Sequence, residues 1–460
     1  MLEVGRLSTR KGSDILAKVI NAFPGYEFKR LSDGQMHNIY RGTDVGKGGY
    51  IISNAGIYEN VALLDIQSLH PNSIIAMNYF GEHTKMYKEL LDMRILIKHG
   101  NLEEAKKKFG GRLAHYLDDP ATAKDLAQAI KIALNSCYGL TAAKFNNPMH
   151  DPRNVNNIVA LRGALFMRTL QDEVESRGFK IVAIKTDSIK IANATREIVQ
   201  FCFDFAKKYS YTFEHEATYD RICQINDADY IARYKDSEWC EHVYGYVPDK
   251  NQKHSGEWTV TGKQFAIPFV FKTLFSKEPI EFKDYCVTQE TKTALYLDMN
   301  EGYPDSTDLE KKLEKLSYRK LQDGAREKID WTKEEKPPEV LELEAEIAKC
   351  HNYIFVGRVG SFCPIKPGCG GGLLMRQNID KKTGETTFAS AAGSKGFRWM
   401  ETEMVEELGK EDDIDIEYFR QLTDSMVDEI SKYGDFEWFV SDEYDTSWSM
   451  EPVTTAFDVR

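Results

Sequence analysis

Apolar residues along this chain recur with two different periods, and the places where each period breaks carry the polar groups of interest. At 61–66 the run Val-Ala-Leu-Leu-Asp-Ile is almost continuously apolar and ends on one carboxylate, Asp65. Residues 181–191, Ile-Val-Ala-Ile-Lys-Thr-Asp-Ser-Ile-Lys-Ile, alternate apolar and polar positions but are interrupted at Thr186-Asp187. That pattern predicts two short strands with Asp187 at a hairpin tip. The helical period governs 85–99, where Met86, Leu90, Met93 and Ile97 define one apolar stripe and Arg94 and Lys98 share a neighbouring face. A second helix is predicted to start at Pro120 with Asp119 as its cap. On it Leu126, Ile130, Ala133 and Cys137 face one way, and Lys124, Gln128, Lys131, Asn135 and Tyr138 form a polar stripe on another face. Further helices are expected at 12–22, 73–80, 155–177 and 195–210, a strand after the Gly46-Lys47-Gly48-Gly49 turn, and strand-like segments over 211–234. Beyond 260 come a charged helical stretch at 307–350 broken by Lys336-Pro337-Pro338, a Gly-rich hairpin region at 356–398, and acidic helices such as 415–432. The alternation of sheet and helix is an α+β layer with helices on one face.

A chain of 460 residues exceeds the size at which one core keeps growing, so two or three substructures are expected. No run approaches the roughly 20 apolar residues of a membrane span, and the start lacks the regions of a signal peptide, which predicts a cytoplasmic protein. Eight cysteines are too sparse for a disulfide framework. Cys350, His351, Cys363 and Cys369 cluster loosely, but they contain no Cys-x-x-Cys pair of the zinc-site kind, and ordinary buried thiols are the better reading.

The net charge of −12 is unexpected for a protein that grips phosphates. It is localised, however: residues 401–460 hold 19 acidic and four basic side chains, whereas residues 1–400 hold 53 and 56. The acidity belongs to the C-terminal segment, and its ordinary meaning is a solvated face. The Gly-rich stretch near 370 lacks the Gly-Lys-Ser/Thr ending of a phosphate loop and is read as hairpin turns. Arg358, Lys366, Arg376, Lys381, Lys382, Lys395 and Arg398 in this region are candidates for contacting a nucleic-acid backbone.

Two aspartates at the ends of buried strands can hold a pair of divalent cations, and such a pair can activate one oxygen of a phosphoryl transfer while neutralising the other. A phosphate-bearing substrate would also need cationic side chains. The planar fork of Arg94 suits the terminal phosphate, and Lys98 and Lys131 can act as point charges.

Between the two aspartate segments lies Lys131-Ile-Ala-Leu-Asn135-Ser136-Cys137-Tyr138-Gly139. Taken in order, the Asp65 segment with Ser68-Leu69-His70-Pro71, this helix, and Lys185-Thr186-Asp187-Ser188 resemble motifs A, B and C of family B DNA polymerases, in particular viral and phage branches. The resemblance implies a right-hand fold with an antiparallel palm sheet. Palm would occupy 1–80, with motif A, and 140–255, with motif C; fingers 81–139; a thumb with the Gly-rich hairpins 256–400; and an acidic extension 401–460. It implies template-directed addition of dNTPs to a primer 3′-hydroxyl in viral or phage replication. Asp65, Asp187 and the main-chain carbonyl of Ile66 would hold two Mg2+ ions, with Mn2+ as a substitute. Ser68, Leu69, His70, Arg94, Lys98, Lys131, Asn135 and Tyr138 would bind the nucleotide. Gly48, Gly49, Tyr230, Arg233 and Lys235 would contact primer-template DNA.

The chain also departs from the family. Lys185 replaces the first Asp of motif C, His70 replaces the Tyr beneath the nucleotide sugar, and Asp227-Ala228-Asp229 replaces the basic part of a Lys-Lys-Arg-Tyr primer motif, leaving Tyr230. Motif A comes too early for a preceding exonuclease, so a separate exonuclease-bearing polypeptide is an expected partner if proofreading exists. Two rival readings are motivated by these departures: a primase-like polymerase inserting ribonucleotides, from His70, and an inactive polymerase fold that binds DNA, from Lys185 and the lost primer motif. The segments at 355–364, 370–374 and 393–399 are also similar to post-palm regions of some phage enzymes.

Overall fold

The computed structural model describes residues 18–441 apart from 20, 150–153, 155–156, 263–264, 321–324, 332, 381–383 and 385. Most of the helix expected at 12–22, the candidate bases Lys381 and Lys382, and the acidic residues after 441 therefore lie outside the described residues. The chain divides into two compact units, one reaching to Gly262 and including the segment from Ile430, the other spanning Lys263–Glu429.

The first unit is built on a seven-stranded sheet whose order is Trp258–Thr261, Tyr230–Tyr234, Phe213–Gln224, Gly56–Ile66, Ser188–Ile191, Ile181–Lys185, Ile51–Ser53. Every neighbouring pair is antiparallel. Because side chains alternate along a strand, the central strand divides its residues between two cores. Ala62, Leu64 and Ile66 pack with Leu161, Leu165 and Phe166 of the long helix Ile158–Glu175. Val61 and Leu63 join Tyr219, Ile222 and Tyr234 on the other side. Burial on both faces is why this strand reads as an unbroken apolar run rather than an alternation.

Helices Thr84–Lys98 and Pro120–Ala142 pack together, and the Tyr87 hydroxyl donates to the Leu134 carbonyl at 3.1 Å. The second starts as expected: Asp119 accepts from the Thr122 amide at 2.8 Å and Pro120 occupies the first turn. The apolar stripes are rotated from their expected positions. On the first helix Tyr87, Leu91, Met93 and Ile97 are buried while Met86 is 57% exposed. On the second, Ala123, Ile130, Leu134 and Thr141 are buried and Ala133 is exposed. The expected helix at 73–80 begins earlier, as Leu69–Ala76, after Ser68 in the left-handed region at φ 59°.

The second unit carries a five-stranded antiparallel sheet ordered Thr386–Ser390, Leu373–Ile379, Val287–Asp298, Tyr353–Ile365, Arg398–Glu401. Leu295, Leu297, Phe362, Trp399 and Phe419 form its core. The charged stretch resolves into helices Thr307–Leu316 and Pro338–Ala348. His351 is bonded to the buried Asp298 at 2.6 Å and the Cys350 thiol to the Glu346 carbonyl. Among the described residues no group of three or more His, Cys, Asp and Glu is arranged to hold a metal ion. No helix among them is long and apolar enough to cross a membrane.

The acidic C-terminal segment is not simply a solvated face. Within the first unit Phe439 is fully buried against Trp258, with ring centres 5.3 Å apart, and Arg221 donates to the Trp438 carbonyl at 2.6 Å.

Candidate active site

Sheet register brings the two aspartates together. Asp65 lies opposite Ser188, and the Ile66 amide donates to the main-chain oxygen of Asp187 at 2.8 Å. The hairpin tip needs Thr186 in the left-handed region, at φ 59°, and the Thr186 amide is held by the Tyr50 carbonyl at 3.0 Å. Gly49 passes directly over this tip: a Cβ there would stand 2.7 Å from the Thr186 hydroxyl oxygen. Its glycine is thus explained by close approach to the Asp187 hairpin, while Gly48 faces open space.

A cavity of about 310 Å³ opens on these carboxylates. Its acidic floor is Asp65, Asp187 and Glu214, and its basic wall is Arg94, Lys98 and Lys131. Ile66, Ser68, Leu69, His70 and Asn135 also line it. Tyr138 stacks on the His70 ring at 4.0 Å and 16° and accepts a hydrogen bond from Asn157 at 2.9 Å. Every residue expected at the nucleotide and metal sites is therefore at this cavity or stacked on its lining. The helix Leu69–Ala76 lies close against Gly163, where a Cβ would meet the Leu69 side chain at 2.8 Å.

Glu214 was not legible as a site residue. It sits opposite Asp65 in register, receives the Lys98 ammonium at 2.5 Å, and accepts from Gln67 at 2.8 Å. The signal that could have found it is the alternation Phe213-Glu-His-Glu, which places Glu214 and Glu216 on one strand face.

The electrostatics are those of crowded carboxylates. Burial pushes the Asp65 carboxyl up to about 7, with further contributions from Asp187, Glu216 and Glu214. Burial, and then Glu216, also raise Asp187. Burial works against ionisation of Glu214, but the Lys98 hydrogen bond and charge outweigh it and hold the carboxyl below its ordinary value. Burial lowers both Arg94 and His70. An all-oxygen donor set of two adjoining carboxylates and a carbonyl fits a hard cation such as Mg2+, which keeps waters and substrate oxygens for its other positions. A divalent ion here would relieve the repulsion that raises Asp65.

The expected DNA-contacting bases fare differently. Lys235 is 2% exposed and paired with Asp220 at 2.9 Å, and Arg233 is buried with bonds to the Gly256 and Ser441 carbonyls. Both were expected to grip DNA, and both are instead interior residues fastening the sheet. In the second unit Lys366 binds the Asp412 carbonyl, and Arg398 the Gly371 carbonyl and the Asn300 side-chain oxygen, whereas Arg358, Arg376 and Lys395 are exposed.

An antiparallel sheet thus presents Asp65 and Asp187 to the same cavity as the cationic side chains of two helices. No protein-family model matches the chain. It is similar to DNA polymerase 1 of Sulfolobus acidocaldarius, 24% identical over a 188-residue alignment that covers 35% of this chain and 21% of that protein. It is also similar to DNA polymerase 1 of Pyrococcus abyssi, 29% identical over 166 residues, 31% of this chain and again 21% of the relative. The match thus spans about a fifth of the length of these curated relatives. Among solved structures, the family B DNA polymerase of Pyrobaculum calidifontis aligns over 87% of this chain and 49% of its own, at 11% identity and a TM-score of 0.37. The chain accordingly has archaeal DNA polymerase homologues over about a third of its length.

Proposed function

We propose that the protein is a template-directed DNA polymerase of the family B kind, adding dNTPs to a primer 3′-hydroxyl. The observation that carries this reading is that one cavity collects Asp65 and Asp187 with Arg94, Lys98 and Lys131. In the proposal the seven-stranded sheet is the palm, the helices Thr84–Lys98 and Pro120–Ala142 are the fingers, and the second unit contains the thumb. Mg2+ bound by Asp65, Asp187 and the Ile66 carbonyl would supply charge neutralisation at the attacking and leaving oxygens.

The chain's own groups do the rest. Arg94 offers a planar donor fork to the triphosphate, Lys131 adds a point charge, and Lys98 exchanges its Glu214 partner for a phosphate oxygen as substrate enters. Asn135 and the stacked His70–Tyr138 pair shape the sugar and base pocket.

Primer extension with Mg2+ and four dNTPs, run beside Asp65→Asn and Asp187→Asn, tests the assignment. Extension by the wild type that falls at least about a hundredfold in both variants is the expected result, as loss of a group stabilising charge in the transition state typically costs about 10²–10³. Primer-template binding without any wild-type extension would overturn it in favour of a non-catalytic DNA-binding subunit. A second reading, ribonucleotide insertion, is favoured by one feature: the ring beneath the sugar is the small imidazole of His70, held flat by Tyr138. Comparing dCTP with CTP in the wild type and His70→Tyr decides it, with a drop in CTP use in the variant expected.

A further inference from the structure

Asp65 lines two cavities. Besides the one that carries Arg94, Lys98 and Lys131, a second of about 250 Å³ opens along the sheet face that bears Leu63 and Tyr219. Its charged lining comprises Lys185, Lys190, Lys250, Glu216 and Asp227 in addition to Asp65. These charges are not equivalent. Lys250 and Glu216 neutralise one another at 2.9 Å, Lys185 is exposed at the strand end beside Asp187, and Asp227 is exposed at the rim.

Lys190 differs from all of them. It is 8% exposed, and among the described residues its ammonium meets neutral partners: the Gln224 side-chain oxygen at 3.1 Å and the face of Tyr230 at 3.2 Å from the ring centre. Burial, and then the charge of Lys185, push its pKa down to about 7. A cation held in the interior without a carboxylate is costly unless an anion arrives to pair with it. A lysine retained merely to fasten the sheet would be expected to have an acidic partner, as Lys235 has in Asp220.

The polymerase reaction has two substrates that meet at the metal-binding carboxylates, and the first cavity accounts for one of them. We propose that the second cavity seats the terminal phosphodiester and sugar of the primer strand, with Lys190 as the positioning cation that sets the 3′-hydroxyl beside Asp65 and Lys185 as a second contact. This rests on the polymerase reading above. Lys190 stands on the hairpin strand Ser188–Ile191, with the Tyr230 ring against its ammonium.

Lys190→Met keeps the length of the side chain and removes its charge, and Lys190→Arg restores a cation. Fluorescence anisotropy measures binding of the full chain to a primed template and to the same template without primer, and steady-state extension gives KM for dNTP. In Lys190→Met the affinity for primed template is expected to fall roughly tenfold to a hundredfold, the loss of one charged hydrogen bond. Unprimed affinity and the dNTP KM stay within about twofold, Lys190→Arg recovers much of the loss, and melting temperature does not fall, since an uncompensated buried charge has gone. Unchanged primed binding, or equal loss on both DNAs with a lowered melting temperature, would show a structural lysine and overturn the proposal. The two readings fail separately. Wild-type extension with Lys190→Met indistinguishable from it removes the primer assignment and leaves the polymerase. A Lys190-dependent preference for primed DNA without any extension removes the polymerase and leaves a site for a DNA end.

Discussion

At the residue scale, the Asp65 carboxyl sets the clearest expectations. Its folded pKa, raised to about 7 by burial and its acidic neighbours, lies above the value of an unfolded aspartate, near 4. The stability associated with that shift is fully present below about pH 4 and is lost as pH rises through about 7. Asp65→Asn should therefore melt at a temperature increasingly above that of the metal-free wild type as pH is raised from 5 to 8, even though extension is expected to be lost. In the proposed site Mg2+ would compete with the proton for the same oxygens, so the melting-temperature rise it gives the wild type should be larger at pH 8 than at pH 6, and nearly absent in Asp65→Asn. Differential scanning fluorimetry across pH, with and without Mg2+, checks both. His215 provides the opposite case. Burial lowers its pKa to about 4, and its ring is held between the Tyr246 and Thr218 hydroxyls at 2.9 Å each. The unfolded state then binds the extra proton between about pH 6.5 and 4, so stability present above 6.5 is lost as pH falls through that window. His215→Gln should show a shallower acid limb in equilibrium unfolding.

At the scale of elements, the site depends on two close approaches at glycines, Gly49 to Thr186 and Gly163 to Leu69. Adding a methyl at Gly163 would drive it into Leu69, the residue that opens the helix after Asp65. Gly163→Ala is expected to cost about 1–3 kcal/mol in chemical denaturation and to raise the KM for dNTP, because Ser68 and His70 shift with Leu69. Asp119→Ala, which removes a cap far from the carboxylates, should cost about 1 kcal/mol and leave that KM unchanged. The contrast separates loss of helix stability from displacement of the site. The same scale shows where periodicity misled. Helix Thr84–Lys98 buries Tyr87 and Leu91 rather than Met86 and Leu90, because the contact with Leu134 admits the tyrosine, whose hydroxyl finds a carbonyl there. The elements themselves and the Asp119 start were legible, since capping and period are local properties of the chain.

At the scale of the whole molecule, the C-terminal acidic segment takes on a role its composition did not suggest. Within the first unit, Phe439 and the Trp438 carbonyl close over Trp258 and Arg221, on strands that belong to the same sheet as Asp65. Phe439→Ala should destabilise that unit by about 3–5 kcal/mol, the range for truncating a buried phenylalanine, read as an earlier unfolding transition in urea. The charge of the segment and its anchoring are separate properties. Neutralising exposed acids such as Glu417 and Asp424 should leave that transition in place.

The sequence by itself determined the strands that end on Asp65 and Asp187, the two helices bearing Arg94, Lys98 and Lys131, and the order in which these segments occur. Each follows from hydrophobic period, a cap or a turn, which act over a few residues. Tertiary structure alone decided what those segments share. Strand register set Ile66 against Asp187 and Glu214 opposite Asp65, and buried Arg233 and Lys235, which the family resemblance had suggested as DNA contacts. It also placed Lys190 in the interior beside Tyr230, with no carboxylate partner among the described residues. Such pairings join residues tens to hundreds of positions apart, and burial depends on what covers each sheet face. Neither is encoded in the local pattern from which helices and strands are read.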